Sequence, residues 1–182
     1  MTGAPDAPEA TPHTPTGPSH PPDPRVPSAA DVLAQEASLV FETFDRDTAV
    51  DLGLAAVALA RARGLPIVVE VKGVDQVLFR AALPGSSVDN DQWIARKTAL
   101  VELGGHSTLY YRRLHEEAGQ TFTEQSGLSE EHYAAHGGGF PLNLAAGPDR
   151  PTRVGVMVVS GLPQLLDHAL VVECLQKVLG SS

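Results

Sequence analysis

The sequence has little of several residue types, and each shortage excludes a class of protein. Of its 182 residues only Cys174 is a cysteine, so no disulfide can form within the chain and a small disulfide-stabilised scaffold is excluded. No apolar run approaches the roughly 20 residues that a membrane-spanning helix needs. The first residues show no charged segment followed by an apolar one, so we expect no signal peptide. Together with the single cysteine, this predicts a cytoplasmic protein.

Basic residues are also few. Lys and Arg total 13 against 22 Asp and Glu, which gives a net charge of -9 and an isoelectric point of about 5.1. Sequence-independent binding to nucleic acid and docking on an anionic membrane both need a basic surface, so neither partner is expected. The hydrophobic fraction of 42% is enough for one core, and the chain length suits one domain, or one domain plus a tail.

The prolines divide the chain into a tail and a domain. Nine of the 15 lie between Pro5 and Pro27, among small and polar residues. Such a segment buries too little apolar surface to offset the entropy of ordering it. We therefore predict that residues 1–30 are a disordered, Pro-rich extension and that residues 31–182 form the domain. A ligand for an aromatic groove is an alternative for the tail, but its composition favours a solvated segment.

Hydrophobic periodicity and turn residues predict the elements β-α-β-β-α-α-β-β-α. The predicted strands cover 38–44, 67–71, 77–83, 140–145 and 153–160, and the predicted helices cover 45–63, 89–103, 106–118 and 163–179. Most of the strands are joined by hairpins, which predicts a mainly antiparallel sheet. Residues 154–159 are apolar on both faces, as in a central strand covered from both sides. The expected fold is α/β (α+β), with five strands and helices on both faces.

Two of the helices carry further information. The first is apolar around most of its surface, so a homo-oligomer, at least a dimer, is predicted, with the helix from Val50 to Leu59 or the edges of the sheet in the contact. The alternative is that its alanines are merely tolerated at the surface. In the last helix, the face that is apolar along most of its length becomes polar in the first turn, at Asp167 and His168. They line a pocket or form a buried pair, and the second is the more common arrangement.

Three histidines near turns or helix ends can act as neutral imidazole ligands of a metal or of haem iron: His106, His136 and His168. A lone histidine is more often structural. The Gly137–Gly139 triplet lacks the Gly-Lys-Ser/Thr ending of a phosphate loop, so it is expected to let the backbone approach another chain or a ligand. Cys174 lies among apolar residues and is expected to be an inert core thiol.

Three segments of the chain resemble a known family. They are Asp89-Asn90-Asp91-Gln92-Trp93-Ile94-Ala95-Arg96-Lys97, Tyr133-Ala134-Ala135-His136-Gly137-Gly138-Gly139-Phe140-Pro141, and Val159-Ser160-Gly161-Leu162-Pro163 with Asp167-His168-Ala169-Leu170-Val171-Val172-Glu173. Over about residues 38–180 the chain resembles an uncharacterised bacterial and fungal family. That family belongs to the haem-degrading-domain superfamily, which is similar to HbpS, GlcG and the C-terminal domain of PduO.

The resemblance implies a profilin-like α/β/α sandwich, a homo-oligomer and a small-molecule site, with haem or another tetrapyrrole as the leading ligand and haem breakdown as a related activity. The candidate ligand-binding residues are Trp93, Arg96, Lys97, His136, Gly137, Gly138, Phe140, Pro141, Ser160, Gly161, Asp167 and His168. Arg96 and Lys97 are candidates to pair with haem propionates, or form an ordinary solvated helix face. The haem-iron candidates are His136, His168 and His106. The alternative is a non-enzymatic, homo-oligomeric scaffold or interaction module with no role in haem chemistry.

Overall fold

The computed structural model describes residues 26–145 and 152–180. This part of the chain forms six helices and five strands. In chain order they are α1 (Ala29–Ser38), β1 (Val40–Phe41), α2 (Arg46–Arg63), β2 (Val68–Gly73), β3 (Val77–Ala82), α3 (Asp89–Gly104), α4 (Thr108–Glu117), α5 (Phe122–Ser126), β4 (Gly139–Leu144), β5 (Thr152–Ser160) and α6 (Gln164–Leu179). None of these helices is long and apolar enough to cross a membrane.

The strands form one sheet in the order β1-β4-β5-β2-β3. Only the short β1 runs parallel to its neighbour β4, and the other pairs are antiparallel. Val156 and Val158 of β5 pack with residues of α3 on one face of the sheet, whereas Met157 and Val159 belong to the core shared with α2 and α6 on the other. The predicted α/β/α sandwich, with five mainly antiparallel strands and a covered central strand, is confirmed.

Local signals account for α2 and for the turn that follows it. The side chain of Asp45 accepts a hydrogen bond of 2.8 Å from the backbone N–H of Thr48, which fixes the start of the helix. The helix ends at Gly64, whose φ of 63° is in the left-handed region that favours glycine. Both ends agree with the sequence prediction, as does the β2–β3 hairpin.

Two helices were not predicted, and one predicted strand was too long. Ser28 and Asp31 form a reciprocal capping box that starts α1, although the prediction placed residues 28–30 in the tail. A second capping box, Thr121 with Glu124, starts the five-residue α5. Of the strand predicted over 38–44, only Val40–Phe41 pairs, and the first predicted residue, Ser38, belongs to α1. Residues 1–25 of the predicted tail lie outside the described residues.

The apolar surface of α2 is divided between the core and the exterior. Leu52 is fully buried, whereas 52% of Leu54 and 36% of Val50 are exposed. The outward apolar face of this helix therefore centres on Leu54. Cys174, on α6, is buried in the core, and burial raises the pKa of its thiol to about 12, which makes it unreactive at neutral pH.

Candidate functional site

A cleft of about 310 Å³ lies at the end of the sheet where β5 finishes and β4 begins. Because β4 and β5 are antiparallel, these two strand ends meet at the same edge, and the first halves of α3 and α6 stand on either side. The lining residues are Asn90, Trp93, Lys97, His136, Ser160, Gly161, Leu162, Gln164 and Asp167. Six of them were named from the sequence, and all three segments that carry the family resemblance contribute.

A buried ion pair forms the base of the cleft. Nζ of Lys97 on α3 lies 2.9 Å from Oδ2 of Asp167 on α6, and only 3% of either side chain is exposed. Nζ also donates to the backbone carbonyl of Val159 at 3.0 Å. Burial lowers the pKa of Lys97 and raises that of Asp167, and the attraction between the two charges opposes both shifts. The predicted polar group in the first turn of α6 is therefore paired with a lysine 70 residues earlier, not with the adjacent His168.

His136 and Trp93 form one wall of the cleft. Their rings meet edge to face with centroids 4.9 Å apart, and the guanidinium of Arg96 lies over the Trp93 ring, 4.1 Å from its centroid. Neither nitrogen of the His136 ring makes a hydrogen bond to any described residue, and Nδ1 is cut off from solvent. Nε2 is thus the nitrogen that a ligand in the cleft can reach.

Burial lowers the pKa of His136, so the ring is neutral at physiological pH. Four charged side chains also act on this pKa: three cations lower it and one anion opposes them, namely Arg112, Lys97, Arg96 and Glu130. A neutral imidazole with an unbonded nitrogen can coordinate iron or accept a proton. No cluster of three His, Cys, Asp or Glu side chains that could hold a metal ion occurs in residues 26–145 and 152–180.

The glycine triplet lets the chain pass close to the ion pair. Gly138 has a φ of 119°, and a Cβ at this position would collide with the carbonyl oxygen of Val159 and lie 2.7 Å from Nζ of Lys97. The N–H of Gly137 donates to Oε1 of Gln164 at 3.3 Å. The backbone around these glycines thus approaches β5 and α6 of the same chain, at the edge of the cleft.

Two polar side chains of the cleft were not named as site residues. Asn90 accepts a hydrogen bond from the N–H of Ser87 at 2.8 Å and its Nδ2 lies 3.3 Å from Oγ of Ser160, so it links the start of α3 to the end of β5. Helical spacing could have identified both. Asn90 precedes Trp93 by three residues and Lys97 by seven, and Gln164 precedes Asp167 by three, so each shares a helix face with a residue that was named.

The other candidates lie away from the cleft. Arg96 packs over the ring of Trp93 but does not line the cleft, and Phe140 and Pro141 are buried in β4. His168 lies on α6, is 4% exposed, and its Nε2 is 2.7 Å from Oε1 of Gln35 on α1. Of the three haem-iron candidates, only His136 lines the cleft.

His106 lies at the loop before α4. Its Nδ1 is 2.8 Å from the carboxylate of Glu36 on α1, which raises the pKa of the imidazole. This contact, together with a hydrogen bond of 2.7 Å from the N–H of Ser107 to the same carboxylate, attaches α1 to the rest of the domain. In the structure His106 thus has a partner that accounts for its position.

Known proteins resemble this chain in sequence. The sequence model of a family described as "Haem degrading protein HbpS-like" matches residues 44–176. The UPF0303 protein SCO2848 of Streptomyces coelicolor is 45% identical over 154 residues, which are 85% of this chain and 95% of that protein. A UPF0303 protein of Paraburkholderia phytofirmans is 40% identical over 150 residues, 82% of this chain and 88% of that protein.

Solved structures share the fold. The crystal structure of the Ybr137w protein superimposes with a TM-score of 0.75 at 26% identity, over 85% of this chain and 89% of that one. HbpS itself gives a TM-score of 0.55 at 21% identity, over 75% and 90% of the two chains. The PduOC:Heme complex gives 0.57 at 17% identity, over 75% and 94%. With the match to the family over residues 44–176, these findings establish that the chain belongs to the HbpS-like family.

Proposed function

We propose that the protein binds a small molecule in the cleft between α3 and α6. The observation that carries this proposal is the convergence of side chains from three separate segments on one concave surface: Trp93 and Lys97, His136, and Ser160 with Asp167. Concave sites with a few polar groups and titratable residues of shifted pKa are typical of ligand-binding sites. The lysine and the carboxylate in this cleft are both buried, and the imidazole of His136, which also lines it, has no hydrogen-bond partner among the described residues.

Haem is the ligand that we propose to test first. His136 supports it, because a neutral imidazole with a reachable nitrogen is a common ligand of haem iron. Membership of the HbpS-like family supports it too. The cleft, at about 310 Å³, is at the small end of the range of roughly 300–1,000 Å³ for ligand pockets. A volume of this size suits a small ligand or part of a larger one.

Titration with hemin tests this proposal. We expect a saturable shift of the Soret band with the wild-type protein and its loss in His136→Ala. His132→Ala is the matched control, because His132 is exposed four residues away. His106→Ala and His168→Ala test the two other iron candidates. If wild type gives no shift, or if the His136→Ala/His168→Ala double variant retains the wild-type shift, haem coordination by these residues is wrong.

The exposed apolar face of α2 favours a second function, a homo-oligomeric scaffold. Val50, Leu54 and Ala58 are exposed on this face. A groove includes part of the face and is lined by Thr48, Asp51, Leu54, Ala55, Ala58, Lys177 and Val178. Large apolar side chains grouped on the surface of a soluble protein usually mark an interface. Here the apolar contact would hold two copies together while the charge of -9 keeps the assembly in solution.

A charge on this face tests the scaffold. Leu54→Glu is expected to dissociate the oligomer, because an unpaired carboxylate in an apolar contact is costly. Leu103→Glu is the control: Leu103 is similarly exposed, at 58%, but lies on α3 on the opposite side of the sheet. Sedimentation equilibrium measures the assembly. A wild-type monomer of 19 kDa at micromolar concentration would contradict the scaffold function.

A further inference from the structure

We propose that two copies of the chain pair through the open edge of β3, so that their two five-stranded sheets join into one sheet of ten strands. This pairing rests on the scaffold function proposed above and deepens it, because it names the surface through which the copies meet. Three features carry it: the position of β3 in the sheet, the direction of its backbone groups, and an apolar stripe of α2 that lies over it.

β3 is the longer of the two edge strands of the sheet. Among the described residues it pairs with β2 alone, and the strand at the opposite edge, β1, has only two residues. None of the six residues of β3 is buried, whereas the first four of β2 are. Soluble proteins usually protect such an edge with a proline, a bulge or a charge. β3 has no proline, and its pairing with β2 is regular from Phe79 to Ala82.

The single charge on β3 does not protect the edge either. Arg80 donates to the carboxylate of Glu70 on β2 and, at 2.6 Å, to that of Asp91 on α3. Its guanidinium is therefore held over the sheet, toward α3, and two carboxylates compensate its charge. A second copy can approach this edge without meeting an uncompensated cation.

The backbone of β3 presents free hydrogen-bonding groups to this edge. The N–H of Leu83 donates to the carbonyl of Ile67, just before β2, at 2.9 Å. In an antiparallel pair, residues whose backbone bonds to the neighbour alternate with residues whose backbone points away. Ala81 therefore bonds to β2, and the N–H and C=O groups of Arg80 and Ala82 point to the open edge.

Such an edge is complementary to a second copy of itself. Two antiparallel strands related by a two-fold axis each offer the same donors and acceptors to the other. Like charges directly opposite each other are destabilising, which favours the register in which Arg80 of one copy lies opposite Ala82 of the second copy. The two-fold axis then passes beside Ala81.

An apolar stripe of α2 lies over β3 and extends this surface. A Cβ on Gly53 would collide with the ring of Phe79, so α2 crosses β3 in close contact at this point. Val50 and Val57, three residues before and four after Gly53, share this side of the helix, and Leu54 continues it outward. Val50 and Leu54 are exposed and Val57 is half-buried. Because strand pairing alone is marginally stable in water, burial of two such stripes supplies the apolar contact that the pairing needs. A second copy brings a strand edge and a stripe together, which an isolated extended peptide does not.

A proline at the edge tests the pairing. Ala82→Pro removes the outward N–H and places a ring in the path of the second copy, but it removes no hydrogen bond to β2. The subunit should therefore fold, with the far-ultraviolet circular dichroism of the wild type. Sedimentation equilibrium should show a dissociation constant of the assembly increased about tenfold or more. Ala82→Thr is the matched control, because it keeps the N–H and suits a strand, and it should assemble like wild type.

Hydrogen exchange of the wild-type protein reads the pairing without any substitution. If β3 pairs with a second copy, the amides of Arg80 and Ala82 should exchange as slowly as those of Phe79 and Ala81, which bond to β2 within the subunit. In a subunit whose edge stays open, the first two exchange fast and only the second two are protected. This result decides the matter if Ala82→Pro does not fold.

The outcomes separate this pairing from the scaffold function. Loss of assembly in Ala82→Pro but not in Ala82→Thr, with slow exchange at Arg80 and Ala82, supports the pairing. The pairing is overturned if the wild type assembles while these two amides exchange fast, or if a folded Ala82→Pro assembles like wild type. Dissociation by Leu54→Glu but not by Ala82→Pro would leave the scaffold function standing without it. A wild-type monomer would overturn both.

Discussion

Acid should destabilise this protein through His168, and the structure gives the size of the effect. Only 4% of His168 is exposed, and Nε2 of its imidazole forms a hydrogen bond of 2.7 Å with Oε1 of Gln35. Its other nitrogen, Nδ1, is buried with no hydrogen-bond partner among the described residues. Protonation would place a charged N–H in this position. Burial therefore lowers the pKa of His168 to about 4, although the charge of Glu36 acts in the opposite direction.

The sign of the pH effect follows from this shift. In the unfolded chain His168 binds a proton below the usual histidine pKa of about 6.5, whereas in the folded chain it binds one only near pH 4. The free energy of unfolding therefore decreases as the pH falls from about 6.5 to about 4. At pH 4.5 the unfolded histidine is almost fully protonated and the folded one is mostly neutral. The loss relative to pH 7 is then about 2.5 kcal/mol in the free energy of unfolding.

The assay compares urea unfolding at pH 7 and pH 4.5 for the wild type and His168→Gln. Glutamine does not titrate, and its amide can still donate to Gln35. The variant should be less stable at pH 7, but its loss of stability between the two pH values should be smaller than that of the wild type by about 2.5 kcal/mol. Acidic groups with lowered pKa values, such as Asp45, affect both proteins alike and cancel. His132→Gln should behave like wild type. Equal losses in wild type and His168→Gln would refute the reasoning.

Two further predictions concern the ion pair and the N-terminal region. Lys97→Met leaves the carboxylate of Asp167 buried without its cation and should cost about 3–5 kcal/mol in urea unfolding, and adding Asp167→Leu should recover most of that loss. A double variant no more stable than Lys97→Met would contradict this. Deleting residues 1–25 should change the melting temperature little. Deleting residues 1–30 should lower the free energy of unfolding by about 1 kcal/mol or more, because it removes the Ser28 cap of α1 and the hydrogen bond from Ala29 to Glu117. The idea fails if the shorter deletion is as damaging as the longer one.

The parts of the fold that were predictable are those with local causes. Asp45 and Gly64 fix the two ends of α2 through contacts with residues only a few positions away in the sequence. The apolar run of β5 likewise identifies a strand covered on both faces. The start of α1 is also a local signal, the Ser28–Asp31 capping box, but the prolines before it led to the prediction of a tail. The short pairing of β1 with β4 depends on residues about 100 positions apart, and nothing near Val40 indicates it.

The sequence identified most of the residues that line the cleft, but not which side chains contact one another. Helical spacing placed Asp167 and His168 together on the buried side of α6, which is correct for both. Adjacent residues on a helix nevertheless point about 100° apart, so Asp167 reaches Lys97 in the cleft and His168 reaches Gln35 on the side of α1. Which distant side chain meets each of them is decided by the arrangement of the helices on the sheet, and this information is not contained in either helix alone.

The strand order has a consequence for synthesis on the ribosome. The β2–β3 hairpin and β1 are made first, but they are not neighbours: β4 and β5, from the last third of the chain, fill the gap between them. At translation rates of roughly 5–20 residues per second, several seconds pass between the synthesis of the hairpin and that of β5, which pairs with the free edge of β2. Throughout that interval the backbone N–H and C=O groups on the edge of β2 that later pairs with β5 are open to other chains. This nascent intermediate, more than the finished domain, is where the protein would meet chaperones or aggregate.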